Sequence, residues 1–139
     1  MRKHSVLVII FLLLAPVICL ANGGTLRDSS NSSIGSIDND GTVRNSSGSS
    51  IGRIQNDGVI RNASGSSVGK IDSDGTVRNS SNSSIGKIES DGAVRNSSGS
   101  SIGKIQSDGS VRNAQNAYIG SAKGVKITWA AVFFFFNFF

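Results

Sequence analysis

Arginine recurs every 17 residues, at Arg27, Arg44, Arg61, Arg78, Arg95 and Arg112. This column is the pattern in the chain best suited to chemistry. A guanidinium grips a phosphate or carboxylate through parallel N–H donors, so six of them set around one axis would make a ring for phosphates or anionic headgroups. Arg53, Lys70, Lys87 and Lys104 form a second basic column. The competing structural reading pairs each arginine with a turn carboxylate of a neighbouring unit, such as Asp40 or Asp57.

Other motifs carry less. Gly65-Ser66-Ser67-Val68-Gly69-Lys70 resembles a phosphate loop, but it is one residue short, and Ile71 stands where Ser or Thr would hold magnesium. The same string returns at Gly99 to Lys104, which marks it as a feature of the repeat. Asp38-Asn39-Asp40-Gly41 and Asp72-Ser73-Asp74-Gly75 begin like a calcium loop but do not run on to the bidentate Glu of an EF-hand, so turn chemistry accounts for them. His4 and Cys19 are the single His and Cys, and both lie in the leader described below. Without them no Ser-His-Asp triad, thiol nucleophile or zinc centre can be assembled. Paired carboxylates fall in repeated turns and read as scaffold. No catalytic residue, metal site or cofactor is assigned, and no nucleic-acid partner is expected. Asn31, Asn45, Asn62, Asn79 and Asn96 are sequons that a eukaryotic secretory pathway could glycosylate.

The elements that must position these residues follow from the period. Gly24, Gly41, Gly58, Gly75, Gly92 and Gly109 open six units, 24–40, 41–57, 58–74, 75–91, 92–108 and 109–125, within a repeat region spanning 22–125. In the second unit, Thr42-Val43-Arg44-Asn45 alternates like a strand, Ser46-Ser47-Gly48-Ser49 is a turn, and Ser50-Ile51-Gly52-Arg53-Ile54 returns. Asn56-Asp57-Gly58 then marks the next hairpin turn. The slot of Gly48 holds only Gly or Asn (Asn31, Gly65, Asn82, Gly99, Asn116), which predicts a positive φ there. Ile51 and Ile54 are three apart, so a β-bulge at Gly52 is needed for both to face inward. One hairpin cannot hide three apolar side chains, so neighbours must stack or close around an axis. The fold class expected is all-β, a radial array of short antiparallel hairpins forming a shallow barrel. A parallel β-solenoid is the alternative, disfavoured because parallel coils do not reverse on tight Asp-Gly turns.

Residues 1–21 read as a signal peptide. Arg2, Lys3 and His4 precede the apolar run Val6 to Leu14, Pro16 breaks it, and Cys19-Leu20-Ala21 offers a cleavage site. The remainder carries twelve basic and nine acidic residues, a net charge of +3, and is expected to be exported to the periplasm, cell envelope or exterior. Residues 126–139 form a hydrophobic tail in which six of the seven Phe occupy the last seven positions. As a helix, Ile127 to Phe139 would span about 20 Å, short of the ~30 Å bilayer core. Six units supply twelve strands, whereas about eight already make a barrel that side chains alone can fill, so a helix or plug is needed on the axis. Trp129, Phe133, Phe134, Phe135 and Phe136 are the candidates for that plug or for a membrane contact.

Runs such as Ser84-Ile85-Gly86-Lys87-Ile88-Glu89-Ser90-Asp91-Gly92-Ala93-Val94-Arg95-Asn96, ending in Trp129-Ala130-Ala131 and a Phe run, resemble the beta-flower proteins over about residues 24–136. The resemblance implies short hairpins arranged as petals around a shallow barrel, with a C-terminal hydrophobic segment and no catalytic residues. It also implies lipid binding, by analogy of shape with the Tubby C-terminal barrel. Gly120-Ser121-Ala122 replaces the Gly-Lys-Ile of other units, which leaves five and six petals both open. Two functions fit. The first is a noncatalytic exported structural or binding module contacting membrane lipid or an anionic envelope surface. The second is a soluble extracytoplasmic scaffold binding glycan or another repetitive surface.

Overall fold

Turn chemistry sets the strand lengths. The computed structural model describes residues 23–139. The leader reading of residues 1–21 lies outside them. The turn within each unit and the five turns between successive units are three-residue loops. At one end Asn45 N–H bonds to Ser49 O at 2.9 Å and Gly48 N–H to Asn45 O at 3.0 Å. The Asn45 side chain accepts from the N–H groups of Ser47 (3.0 Å) and Ser49 (3.1 Å), closing the loop as an Asx turn. The Gly/Asn slot does lie at positive φ, 86° at Gly48 and 71° at Asn82. At the other end Asp38 N–H bonds to Thr42 O and Gly41 N–H to Asp38 O, both at 2.9 Å. Gly41 has φ 93°, and a Cβ there would also run into the carbonyl oxygen of Ile54, whereas one at Gly48 would meet nothing within 4 Å. That difference explains why the first slot admits Gly alone and the second alternates with Asn.

Between turns, only four or five residues remain for each strand. These are β1 (Gly24–Asp28), β2 (Ser33–Ile37), β3 (Thr42–Asn45), β4 (Ser50–Ile54), β5 (Val59–Asn62), β6 (Ser67–Ile71), β7 (Thr76–Asn79), β8 (Ser84–Ile88), β9 (Ala93–Asn96), β10 (Ser101–Ile105), β11 (Ser110–Asn113) and β12 (Tyr118–Ser121). Each pairs antiparallel with its neighbours in sequence, and β12 pairs with β1 through Arg27↔Ser121 and Asp28↔Gly120. The result is a closed barrel of six hairpins with no parallel coil. The atypical last unit supplies the closing strand.

The bulge expected in the return strand is present in every hairpin. In the second, Arg44 faces Ser50 and Val43 faces Gly52, so Ile51 is the extra residue. This corrects the count of inward positions. Leu26, Ile37, Val43, Ile54, Ile60, Ile71, Val77, Ile88, Val94, Ile105, Val111 and Ala122 form one buried ring, none more than 8% exposed. The bulge residues Ile34, Ile51, Val68, Ile85, Ile102 and Ile119 pack against that ring but are only half-buried.

The helix α1 (Ile127–Phe135) fills the axis. Its nine residues span about 14 Å, which matches the ~13–17 Å reach of a four- or five-residue strand. Trp129, Ala130, Ala131 and Val132 are buried, and the two alanines keep the helix slim enough for the ring around it. A helix apolar on all sides must be surrounded. It is shorter than the sequence suggests, because Phe136 turns to extended backbone (φ −124°, ψ 123°) and the last residues leave the axis. Lys126, Thr128 and Trp129 border Gln55–Gly58 and Ile71–Ser73, so the chain enters at the Asp-Gly turns and emerges towards the Asn-Ser-Ser turns.

Candidate functional site

The emerging phenylalanines are seated one hairpin at a time. A Cβ added to Gly120 would lie 2.9 Å from Phe134, and one added to Gly86 would lie 2.7 Å from Phe136. Gly103, Gly69 and Gly52 are covered in the same way by Phe135, Phe138 and Phe139. These glycines sit in β12, β10, β8, β6 and β4, so the tail steps around the barrel wall while exposed Asn137 is passed over. The same missing side chains let the strands cross closely, since a Cβ at Gly86 or Gly103 would also strike the Arg95 or Arg112 carbonyl. Phe133 and Phe134 meet edge to face, with centroids 5.5 Å apart. Sequence reading had given this glycine column only to the bulge. The usable signal was numerical, six glycines at one repeat position and six Phe in seven residues.

The ring of rings makes one mouth of the barrel apolar. Phe136 is buried at 7% exposure, Phe133, Phe134, Phe135 and Phe138 are half-buried, and Phe139 is 37% exposed. Trp129 lies deeper, with the Lys126 ammonium 4.5 Å from its ring centroid. Around this mouth run the Ser-, Asn- and Gly-rich turns, whose single charged residue is Asp28. The other eight acidic residues lie at or beside the opposite, Asp-Gly turns.

The arginine column lies on the outer wall, so its six members ring the barrel without lining a pore. Arg44 Nε donates to Asp38 at 3.0 Å, Arg78 to Asp72 at 2.8 Å and Arg95 to Glu89 at 2.9 Å. Arg61 and Arg112 donate instead to the amide oxygens of Gln55 (3.0 Å) and Gln106 (3.3 Å). In all six, Nη1 donates to the carbonyl of the positive-φ turn residue, as Arg44 does to Gly48 (3.1 Å) and Arg27 to Asn31 (3.0 Å). Three arginines thus pair with a carboxylate at the turn of the preceding unit, as the structural reading had it, but the acids are Asp38, Asp72 and Glu89 and not Asp40 or Asp57. Ser36 faces Arg44, and Asp38, two residues on, shares its side of the sheet. Asp40 and Asp57 accept instead from the N–H groups of Thr42 (3.0 Å) and Val59 (3.1 Å). Those turn bonds hold the Asp40, Asp74 and Asp108 carboxyls below their ordinary range, first through the N–H and then the hydroxyl of Thr42, Thr76 and Ser110.

The second basic column faces the first. Arg53 lies opposite Arg61, Lys70 opposite Arg78, Lys87 opposite Arg95 and Lys104 opposite Arg112. Like charges directly across a sheet cost stability, so the wall between the Phe mouth and the acidic turns is a belt of cations. The phosphate-loop look-alike at Gly65 to Lys70 is turn and bulged strand, without the helix such a loop would open. Among the described residues no helix is long and apolar enough to cross a membrane.

No curated protein and no solved structure matches the chain. A family model described as a 5-fold beta-flower protein does match, over residues 19–138. With that match over most of its length and a barrel of radial hairpins behind it, the chain belongs to the beta-flower family, here with six hairpins closing the ring.

Proposed function

We propose that this protein is a noncatalytic, exported binding module that rests its phenylalanine-lined mouth on an anionic lipid surface. The observation that carries the reading is the partly exposed Phe cluster at one end of the barrel, framed by half-buried Ile and Val and by turns whose single charged residue is Asp28. Contiguous exposed apolar surface of this kind is costly in water and suits an interface. Charge segregation selects the partner. The acidic turns lie at the end opposite the mouth, and the basic columns of the wall lie between the two ends, where they can attract anionic headgroups. Such a module lies on a bilayer without spanning it. Export rests on the leader reading of residues 1–21.

Co-sedimentation with phosphatidylcholine vesicles, with and without phosphatidylglycerol, tests this. Binding should require phosphatidylglycerol, weaken with salt, and fall in a Phe138→Ser, Phe139→Ser variant whose β circular dichroism is unchanged. Wild-type protein that stays in the supernatant under all these conditions would overturn the proposal and favour the glycan-scaffold reading, which uses the exposed Ser/Asn turns.

A further inference from the structure

Five of the six seams between hairpins share one device. The acceptor for each arginine Nε sits two residues beyond the strand partner, as Asp38, Gln55, Asp72, Glu89 and Gln106. At the closure seam, where β12 meets β1, the arginine is Arg27 and the residue at the acceptor position is Lys123. The residue at this offset is thus a second cation, carried on the turn that follows β12, and it lines the same concavity as Arg27.

We propose that this seam is a binding site for a phosphate-type oxyanion, held between Arg27 and Lys123. Arg27 keeps the anchoring bond of its five counterparts, Nη1 to the Asn31 carbonyl at 3.0 Å. Its Nε edge therefore stands as theirs do, facing the acceptor position. Among the described residues neither Arg27 nor Lys123 forms an ion pair. The nearby acids are engaged elsewhere. Asp28 accepts from the N–H groups of Ser30 (2.9 Å) and Ser32 (3.0 Å), and Asp108, which feels the Lys123 charge, accepts from Ser110 N–H at 2.9 Å.

The space is also there. Arg27, Asn31, Ser121 and Lys123 line a concavity of about 490 Å³ together with Gly23, Gly24 and Thr25. Ser121 faces Arg27 where four other seams carry a further Arg or Lys, so it offers a hydroxyl without adding a third charge. Two cations and flanking hydroxyls match a dianionic phosphate or phosphomonoester, which a guanidinium takes by two parallel bonds. The site shares no residue with the Phe mouth, so it stands or falls independently of the membrane proposal.

The test is titration of protein expressed from the full chain with inorganic phosphate, followed by amide and arginine Nε–H nuclear magnetic resonance. The Arg27 Nε–H and the Gly24 amide should shift in a saturable way. Lys123→Gln should weaken that response about tenfold or more, as loss of one charge-assisted contact requires. The same variant should melt no lower than wild type without phosphate, because it restores the Arg–Gln bond seen between Arg61 and Gln55. Gln106→Lys should create a second responding seam at Arg112. Short-chain phosphatidate and phosphatidylglycerol, below their micelle concentrations, separate the sources. A response to phosphatidate without one to inorganic phosphate assigns a lipid headgroup, and a response to both assigns the oxyanion in general. If Arg27 is unmoved by either phosphate or phosphatidate, or responds equally in Lys123→Gln, the site does not exist.

Discussion

Replacing Phe136 by Ala should be among the most damaging single changes in the tail. Phe136 is 7% exposed and sits over Gly86, where no side chain can move in to replace the ring. Removing a buried Phe costs about 3–5 kcal/mol, the upper values applying where the surroundings cannot collapse. Here the wall beside the ring is backbone, so collapse is limited. Against a typical total of roughly 5–15 kcal/mol, that is a large share. At about 4 °C per kcal/mol for a domain of this size, the melting temperature should fall by roughly 12–20 °C. The loss should grade with burial along the same tail, smaller at half-buried Phe138 and smallest at Phe139, which is 37% exposed. Thermal and urea melts monitored by circular dichroism and by emission of Trp129, the single tryptophan, measure the series. Equal melting of the Phe136→Ala and Phe139→Ala variants would refute the seating of the tail on the glycine column.

Gly41→Ala should destabilise more than Gly48→Ala in urea. Both pay roughly 1–2 kcal/mol for a positive φ, but only the first drives its Cβ into the Ile54 carbonyl; equal losses would contradict the turn assignment, and Gly48→Asn should be nearly neutral. Truncation before Ile127 should give an aggregated or unfolded product, because the twelve-residue ring would surround an empty axis; a monomeric truncated protein with unchanged melting would show that α1 is dispensable. Acid should weaken the barrel. The folded-state carboxyls of Asp40, Asp74 and Asp108 lie below their unfolded value of 3.8, so their contribution is present above that pH and is lost as pH falls through the lower folded values. Asp40→Asn should flatten the acid limb of the stability profile, read from urea midpoints, and an unchanged limb would contradict this.

The period made much of the fold legible before any coordinate. Gly/Asn alternation at the slot of Gly48 announced a left-handed residue, and the three-residue spacing of Ile51 and Ile54 announced a bulge. Both are local properties, written within one unit. The partners of the arginines were harder to read, because they depend on register between units. Asp38 reaches Arg44 because it shares a face with Ser36, and nothing within either unit states that pairing. The seating of Phe139 on Gly52 joins residues 87 positions apart, and is visible only once the barrel has closed around α1. The departure of the last unit at Gly120-Ser121-Ala122 left the petal count open in the sequence, and only barrel closure puts Lys123 and Arg27 on one concavity.

The orientation of the barrel on a bilayer is the measurement that tests the account most directly. Trp129 borders Asp57 and Gly58 at the acidic end, and Phe139 lies at the opposite mouth. A Trp129→Phe, Phe139→Trp variant moves the single fluorophore from one end to the other. On vesicles of brominated phosphatidylcholine and phosphatidylglycerol, emission from position 139 should be strongly quenched and blue-shifted, while wild-type Trp129 should be little affected. Quenching of Trp129 in preference to position 139, or of neither, would contradict a phenylalanine mouth that faces lipid.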